Sequence, residues 1–430
     1  MLFRSPDPVL LCEIPADGEY VLTVQDSIFR GREDFVYRLT VGELPFMTSI
    51  FPLGGREGAL PEIAMKGWNL EGAKLVPPAG GARDGVAQVV ADRKGTVSNP
   101  MPFAIDTLPE IVEVESRGAS LRPQKVELPV IVNGRIDMAD DWDVFEFSGK
   151  AGDSIVADVM ARRLDSPLDS VVKIVDAEGD LVAFNDDCED LATGLNTHHA
   201  DSHVLAKLPA DGVYRVHIGD TARKGGAAYG YRLRIGPPRP DFALRLVPSF
   251  ATIQGKQDAA VSVHAIRRDG FAGPITIDLK DPPQGFFSKP LTMNPTQTVA
   301  RFSFRASTKI EDQLMDLKIE GRARVGDTAV VREAVPSEDR MQAFLWRHLV
   351  PAQQFLVVVH PSPKSLPKPT PPEIPESMKV AAATTAVSST NKFSKNAVSG
   401  RLRQLKRIYE DGLFTDDFYL SKVAECYKGQ

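Results

Sequence analysis

The sequence is poor in cysteine, has no long apolar run and carries no surplus of basic residues. Cys12, Cys188 and Cys426 lie in three separate segments without Cys-x-x-Cys spacing, which argues against a thiolate zinc site and leaves three unpaired thiols as the expectation. No stretch approaches the ~18 apolar residues that a membrane helix needs. The net charge of −6 over 430 residues is spread along the chain, so there is no basic footprint for nucleic acid. Catalytic signatures are missing too: no G-x-S-x-G elbow, no phosphate-cradling GxxxxGK[ST] loop, and no GxGxxG after a strand. Ser202 beside His203 is a chain neighbour, not a triad. The first residues contain an apolar stretch interrupted by Pro8 and Glu13, without the h-region or cleavage site of a signal peptide. Nothing in the sequence supports catalysis, and the chain is expected not to be an enzyme.

What the sequence does contain is a repeat of itself. Ile14 to Gly42 lies without a gap on Leu208 to Gly236, a constant offset of about 194 residues, which marks a module used more than once. Pro15, Ala16, Asp17, Gly18, Tyr20, Asp26, Gly31, Tyr37, Arg38, Leu39 and Gly42 recur identically. Tyr20, Leu22 and Val24 alternate with polar residues, as do Phe35, Tyr37, Leu39 and Val41. Each set predicts a strand with one buried face. The Pro-Ala-Asp-Gly turn before them combines a preset φ with a residue that accepts positive φ. The second copy is preceded by more of its module and the first is not, so the chain is expected to begin inside a domain. An unpaired edge and an apolar face over residues 7–42 follow from that expectation.

The chain reads as mostly β: tandem β-sandwich modules of jelly-roll and Ig-like kind, a proline-rich linker and a small C-terminal α-hairpin. Residues 1–43 form the partial module. Over 44–117, Gly67-Trp68-Asn69-Leu70 resembles the turn of Ig-like IPT/TIG domains. Over 118–238 the hydrophobic runs are short and bounded by Gly, Asp or Pro, as in a sandwich, with a hairpin turn at Asp176-Ala-Glu-Gly179. This span carries Asp141-Trp142-Asp143-x-Phe145, Gly149-x-x-Gly152-Asp153, Leu168-Asp169-Ser170, Asn185-Asp186-Asp187, Asp201-Ser202 and Leu208-Pro-Ala-Asp-Gly-x-Tyr214. In that order the motifs resemble the bacterial pre-peptidase C-terminal domain, which implies a non-catalytic β-sandwich appended to secreted enzymes, proteases above all. Residues 239–360, with Arg268-Asp-Gly-Phe-x-Gly-Pro-Ile275, resemble Ig-like domains of bacterial extracellular proteins. Residues 361–396 are rich in Pro, Ala, Ser and Thr and read as an extended, coreless linker. Residues 397–430 show Leu402, Leu405, Ile408 and Tyr409 on one helical face and Tyr419, Val423, Cys426 and Tyr427 on another, with Thr415 as the second N-cap. They resemble the short SHOCT helical hairpin, which implies self- or partner contacts.

Two clusters suggest ligands. Asp165, Asp169, Asn185, Asp186, Asp187, Asp190 and Asp201 gather in the complete module, and Asp169, Asn185, Asp186, Asp187 and Asp201 are the candidate calcium ligands, because calcium takes six to eight oxygens. The competing reading is turn chemistry, with each side chain bonding local backbone. His199, Asp201 and His203 would share a strand face, but His198 and His199 read as solvated loop. Trp68, Trp142 and Tyr229 or Tyr231 could form a sugar-stacking platform, but they read better as packed aromatics. Leu402, Leu405, Ile408, Tyr409, Tyr419 and Val423 are the candidate partner-binding residues. The expected protein is therefore an extracellular, periplasmic or cell-envelope binding, scaffolding or targeting chain. It would meet protein partners or a cell-surface polymer, not nucleic acid, and would self-associate through 397–430. The alternative is the non-catalytic part of a secreted protease or other hydrolase.

Overall fold

The structure, a computed structural model, describes residues 9–25, 31, 36–77, 85–115, 123–189, 200–254, 257–307, 313–341, 347–360, 370–376, 395–410 and 414–428. It divides into two compact units, one of Met1–Ala251, Ala259–Phe304 and Met315–Val357, the other of Thr252–Asp258, Arg305–Leu314 and Val358–Gln430. The fold is mostly β, as expected.

In the first unit, β1 (Phe46–Phe51), β2 (Gly54–Arg56), β3 (Ala64–Trp68), β4 (Lys74–Val76), β5 (Val86–Arg93), β6 (Thr96–Val97) and β7 (Met101–Asp106) form a small module. β1 pairs with β3, and β2-β7-β5-β4 form a second sheet with β6 against β5. Met47, Ile50, Leu53, Val89 and Phe103 fill its core together with Leu164 from the next module. The Gly67–Leu70 turn is real: Asn69 has φ 54°, a conformation Asn tolerates, and its Nδ2 donates to the Leu44 carbonyl at 3.0 Å.

The complete sandwich follows: β8 (Glu110–Val112), β9 (Gln124–Lys125), β10 (Val130–Arg135), β11 (Trp142–Gly149), β12 (Ser154–Met160), β13 (Ser170–Val175), β14 (Leu181–Asn185), β15 (His203–Lys207), β16 (Gly212–Asp220) and β17 (Gly230–Gly236). One sheet runs β15-β12-β17-β10-β8 and the other β14-β13-β16-β11-β9. Their facing side chains make one core, including Val132, Phe145, Phe147, Val159, Val172, Tyr214, Val216, Tyr231 and Leu233. Each such side chain contributes about 1.5–3 kcal/mol when fully removed from water. β16 and β17 lie in the interior of their sheets, flanked on both sides. β8 pairs parallel to β10, so the sandwich begins before the expected boundary at 117/118. A three-residue strand ahead of a turn carries too little pattern to mark that start.

Six-, four- and three-stranded sheets follow, from β18 (Asp241–Val247), β19 (Phe250–Gln254), β20 (Ala259–Arg268), β21 (Ile275–Lys280), β22 (Phe286–Ser288), β23 (Leu291–Met293), β24 (Val299–Ala306), β25 (Gln313–Asp316), β26 (Lys318–Val325), β27 (Thr328–Glu333), β28 (Val335–Met341), β29 (Arg347–Pro351) and β30 (Leu356–His360). The orders are β22-β24-β20-β18-β28-β29 and β23-β21-β26-β27, which build the third module, and β19-β30-β25. Phe242 stacks on Phe271 with ring centroids 5.6 Å apart. The three cysteines form no disulfide.

Among the described residues, the two strands expected over 7–42 do not form. Residues 9–25, 31 and 36–42 contain no strand, and Tyr20, Leu22, Val24, Tyr37, Leu39 and Val41 are exposed. A lone pair of strands is marginal in water, and among the described residues nothing covers the apolar side of this copy.

In the second unit, helices Lys395–Glu410 and Asp416–Lys428 pack on each other. Tyr409 and Tyr419 rings lie 4.9 Å apart, and the Phe418 N–H donates to Thr415 Oγ1 at 3.4 Å, the expected cap. Tyr409, Tyr419 and Val423 are buried in the pair's own core, with Leu402, Leu405 and Ile374 packed against them. A two-helix element must first bury its own stripe, and the residues expected from the sequence to meet a partner are the ones on which the two helices pack. Ile408 is half-buried. Among the described residues no helix is long and apolar enough to cross a membrane.

One buried carboxylate ties the modules of the first unit. Asp269, in the third module, accepts from Arg234 Nη1 and Nη2 at 2.8 Å each, from the Arg239 N–H at 2.7 Å, and sits 3.2 Å from His203 Nε2. Arg239 reaches on to Asp106 of the first module at 2.9 Å. Burial alone would raise the Asp269 pKa, but these donors hold it well below the usual carboxylate range. A lowered folded-state pKa gives stability that is present above the unfolded value of 3.8 and is lost as pH falls below it. Asp269→Ala should destabilise the first unit by about 3 kcal/mol, the usual penalty for orphaning a buried pair. Urea unfolding at neutral pH checks this, and the difference from the parent chain should shrink in acid.

Candidate metal centre

Of the five residues expected to hold calcium, Asp201 and Asn185 are engaged by protein groups. Asp201 is buried, and its carboxylate is filled by N–H donors: Ala161 N at 3.1 Å, Arg162 N at 2.6 Å, Arg163 N at 3.1 Å and Arg163 Nε at 2.8 Å. It caps the short turn Arg162–Leu164. Asn185 is spent on backbone as well, accepting from His203 N at 2.9 Å and donating to the Asp187 carbonyl at 2.9 Å. The Asp169 N–H donates to Asp220 Oδ1 at 3.1 Å. Among the described residues, Asp169, Asp186, Asp187 and Asp201 do not bring three ligand atoms within 4.8 Å of one another. Asn185 bonds local backbone at Asp187, whereas Asp201 bonds backbone N–H groups 38–40 residues away in the chain. Asp190, His198 and His199 lie outside the described residues.

The Leu-Asp-Ser and Asp-Ser motifs close the fold instead. Ser202 Oγ donates to the Ser170 carbonyl at 2.8 Å and the two hydroxyls lie 2.8 Å apart, both buried. The aromatic platform is likewise packed: Trp68 stacks on Phe46 at 5.3 Å, and Trp142 lies under Lys173 Nζ at 4.7 Å.

A different acidic group comes together. Glu113, Glu115 and Asp143 present carboxylate oxygens all within 4.8 Å. Glu113 directly follows β8, its N–H donating to the Asn133 carbonyl at 3.0 Å. Glu115 is two residues on, so in an extended segment both point the same way. Asp143 comes from β11 in the opposite sheet and is buried. Tyr231 Oη donates to Asp143 Oδ2 at 2.7 Å, and the Arg135 N–H donates to Glu113 Oε2 at 2.9 Å. Tyr231 reaches that position because Gly134 stands across from it, where a Cβ would lie 2.2 Å from the ring.

The electrostatics are those of a site short of positive charge. Burial, then the Glu113 charge, push Asp143 up to about 9. Burial, then Glu113, Asp141 and Asp137, push Glu115 up to about 7. Burial raises Glu113 too, against its hydrogen bond with Asp143. Like carboxylates at such range cannot all ionise unaided. Carboxylate oxygens in such an arrangement suit a hard cation. The sequence signal for this site is Glu-x-Glu ahead of the module and Asp-x-Asp in β11.

No known family profile matches the chain. A stretch of 96 residues, 20% of the chain, is 43% identical to a probable subtilase-type serine protease of Deinococcus radiodurans. The match spans 12% of that protease's length. Among solved structures, the pre-peptidase C-terminal domain of a Bacillus anthracis collagenase aligns over 28% of this chain and 99% of its own, at 15% identity and a TM-score of 0.21. A secreted-protein candidate of Eubacterium rectale aligns over 42% of this chain and 68% of its own, at 12% identity and a TM-score of 0.18.

The acidic group has a pH signature. The Asp143 pKa is raised from 3.8 to about 9, so its contribution is intact below the unfolded value and is lost as pH rises through the folded one. In chelator, the melting temperature should fall as pH rises across that window. Asp143→Asn, which keeps an acceptor for Tyr231, should flatten the fall and melt above the parent chain at alkaline pH.

Proposed function

We propose that this chain is a non-catalytic β region of a secreted protease, and that its complete sandwich is a calcium-stabilised pre-peptidase C-terminal-like module. The single observation carrying the calcium reading is the Glu113, Glu115 and Asp143 group, with three acids pushed out of their ordinary range around one point. The 43% identity with a subtilase-type protease over 96 residues supports the enzyme context. In this reading calcium binds Glu113 and Glu115 on the incoming segment and Asp143 on β11. It would fasten the connection from the first module onto the sandwich. Extracellular calcium modules work at Kd values of roughly 10⁻⁴ to 10⁻³ M, which suits a protein that meets the ion after export. The flanking modules act as Ig-like spacers, and the SHOCT-like helical pair provides self- or partner contact.

Thermal unfolding of the full chain tests the reading. At a hundredfold excess over Kd, calcium should stabilise by about 2.7 kcal/mol, several degrees in melting temperature. Glu113→Gln with Asp143→Asn should abolish that shift, whereas Asp186→Asn with Asp187→Asn should leave it intact. No calcium-dependent shift, or one that follows Asp186 and Asp187, overturns the assignment.

A further inference from the structure

The exposed copy of the repeat encodes the two interior strands of a sandwich it is not part of. Residue for residue, Tyr20, Leu22, Val24, Tyr37, Leu39 and Val41 match Tyr214, Val216, Ile218, Tyr231, Leu233 and Ile235. The second set is 0–1% exposed between the sheets, and the first set is 46–75% exposed. The turn that launches the strands is already made. Tyr20 Oη donates to the Ala16 carbonyl at 2.6 Å, as Tyr214 Oη does to Ala210 at 2.7 Å. So the local geometry is present and the covering layer is not.

The matched residues also say what the missing layer must look like. β16 runs between β13 and β11, and β17 between β12 and β10, so the cover must flank each donated strand on both sides. Tyr231 needs Gly134 across from it and Asp143 beneath its hydroxyl. Arg232, buried, needs Glu110 at 2.7 Å and Asn133 at 2.7 Å. Tyr37 and Arg38 carry the same requirements, because they are identical to Tyr231 and Arg232. One position differs. Gly219 lies against the Trp142 ring, where a Cβ would sit 3.0 Å away, and its counterpart is Gln25. A tryptophan at the Trp142 position would have to shift to admit Gln25, and this chain's own module is already closed by β16 and β17, so a smaller residue there fits the first copy better.

We propose that residues 14–25 and 36–42 are a two-strand donor that closes an incomplete sandwich on a separate polypeptide stretch. That acceptor presents a glycine opposite Tyr37, a carboxylate under its hydroxyl, a second carboxylate for Arg38, and a small residue facing Gln25. The binding mode is strand addition, with main-chain hydrogen bonds giving affinity and the alternate apolar side chains giving specificity.

The test uses the full chain as donor. The acceptor probe is a carrier-fused polypeptide of residues 109–207 of this sequence, which ends before β16 and β17, with Trp142→Ala to admit Gln25. Its competence is first established by binding of a peptide of residues 208–236. The full chain should form a one-to-one complex with this probe by light scattering, and amides of 14–25 and 36–42 should gain exchange protection. Leu22→Asp with Leu39→Asp in the full chain should weaken the complex at least about tenfold, since each places a carboxylate in an apolar core. The same pair should leave the melting curve of the chain alone unchanged, because both positions lie outside its cores. No complex, or a complex that survives the double substitution, overturns the proposal.

Discussion

Between the two sheets of the complete module, the Tyr231 hydroxyl meets the Asp143 carboxyl at 2.7 Å, and the whole architecture depends on the condition that brings them there. An interior strand with one apolar face must have a second sheet across from it. β16 and β17 meet that condition: Tyr214, Val216, Tyr231 and Leu233 are sealed by Phe145, Phe147, Val132 and Val159. Ion pairs, caps and turn carboxylates then fix the register of what burial has assembled. The same strands, written a second time near the N-terminus, lack the facing layer and form no strand among the described residues.

Burial also sets the chemistry of the acidic group. Asp143 is placed by the inward phase of β11, and Glu113 and Glu115 by the short parallel strand β8 beside β10. Packing brings three carboxylates together in a setting that disfavours charge. The contrast with Asp201 is instructive. Both are buried acids beside the same module, yet Asp201 faces four N–H donors and Asp143 faces two other acids. Residue type is equal, and the neighbours decide whether the group is a cap or a ligand.

Short hydrophobic runs bounded by Gly, Asp or Pro made the strands of the complete module legible, because turn residues punctuate a sandwich at regular intervals. The Asp176 hairpin turn and the Asn69 turn were legible because Asp and Asn bond local backbone and Asn accepts positive φ. The Thr415 cap was readable for the same kind of reason. The acidic site was not, since its ligands lie about thirty residues apart on strands of opposite sheets, and pairing across a sandwich leaves no local trace. For the Asn-Asp-Asp run, composition cannot show whether a lone pair meets an amide or a cation. The fate of the first repeat was hidden for a deeper reason: identical sequence predicts identical strands only where identical cover exists.

That dependence on cover is the central claim, and amide hydrogen exchange within one preparation of the full chain tests it most directly. The account predicts strong protection of the amides in 212–220 and 230–236, with the matched amides in 18–25 and 36–42 exchanging near the rate of an unstructured chain. Equal protection of the two copies would contradict it, because the repeat would then form stable strands without a facing sheet.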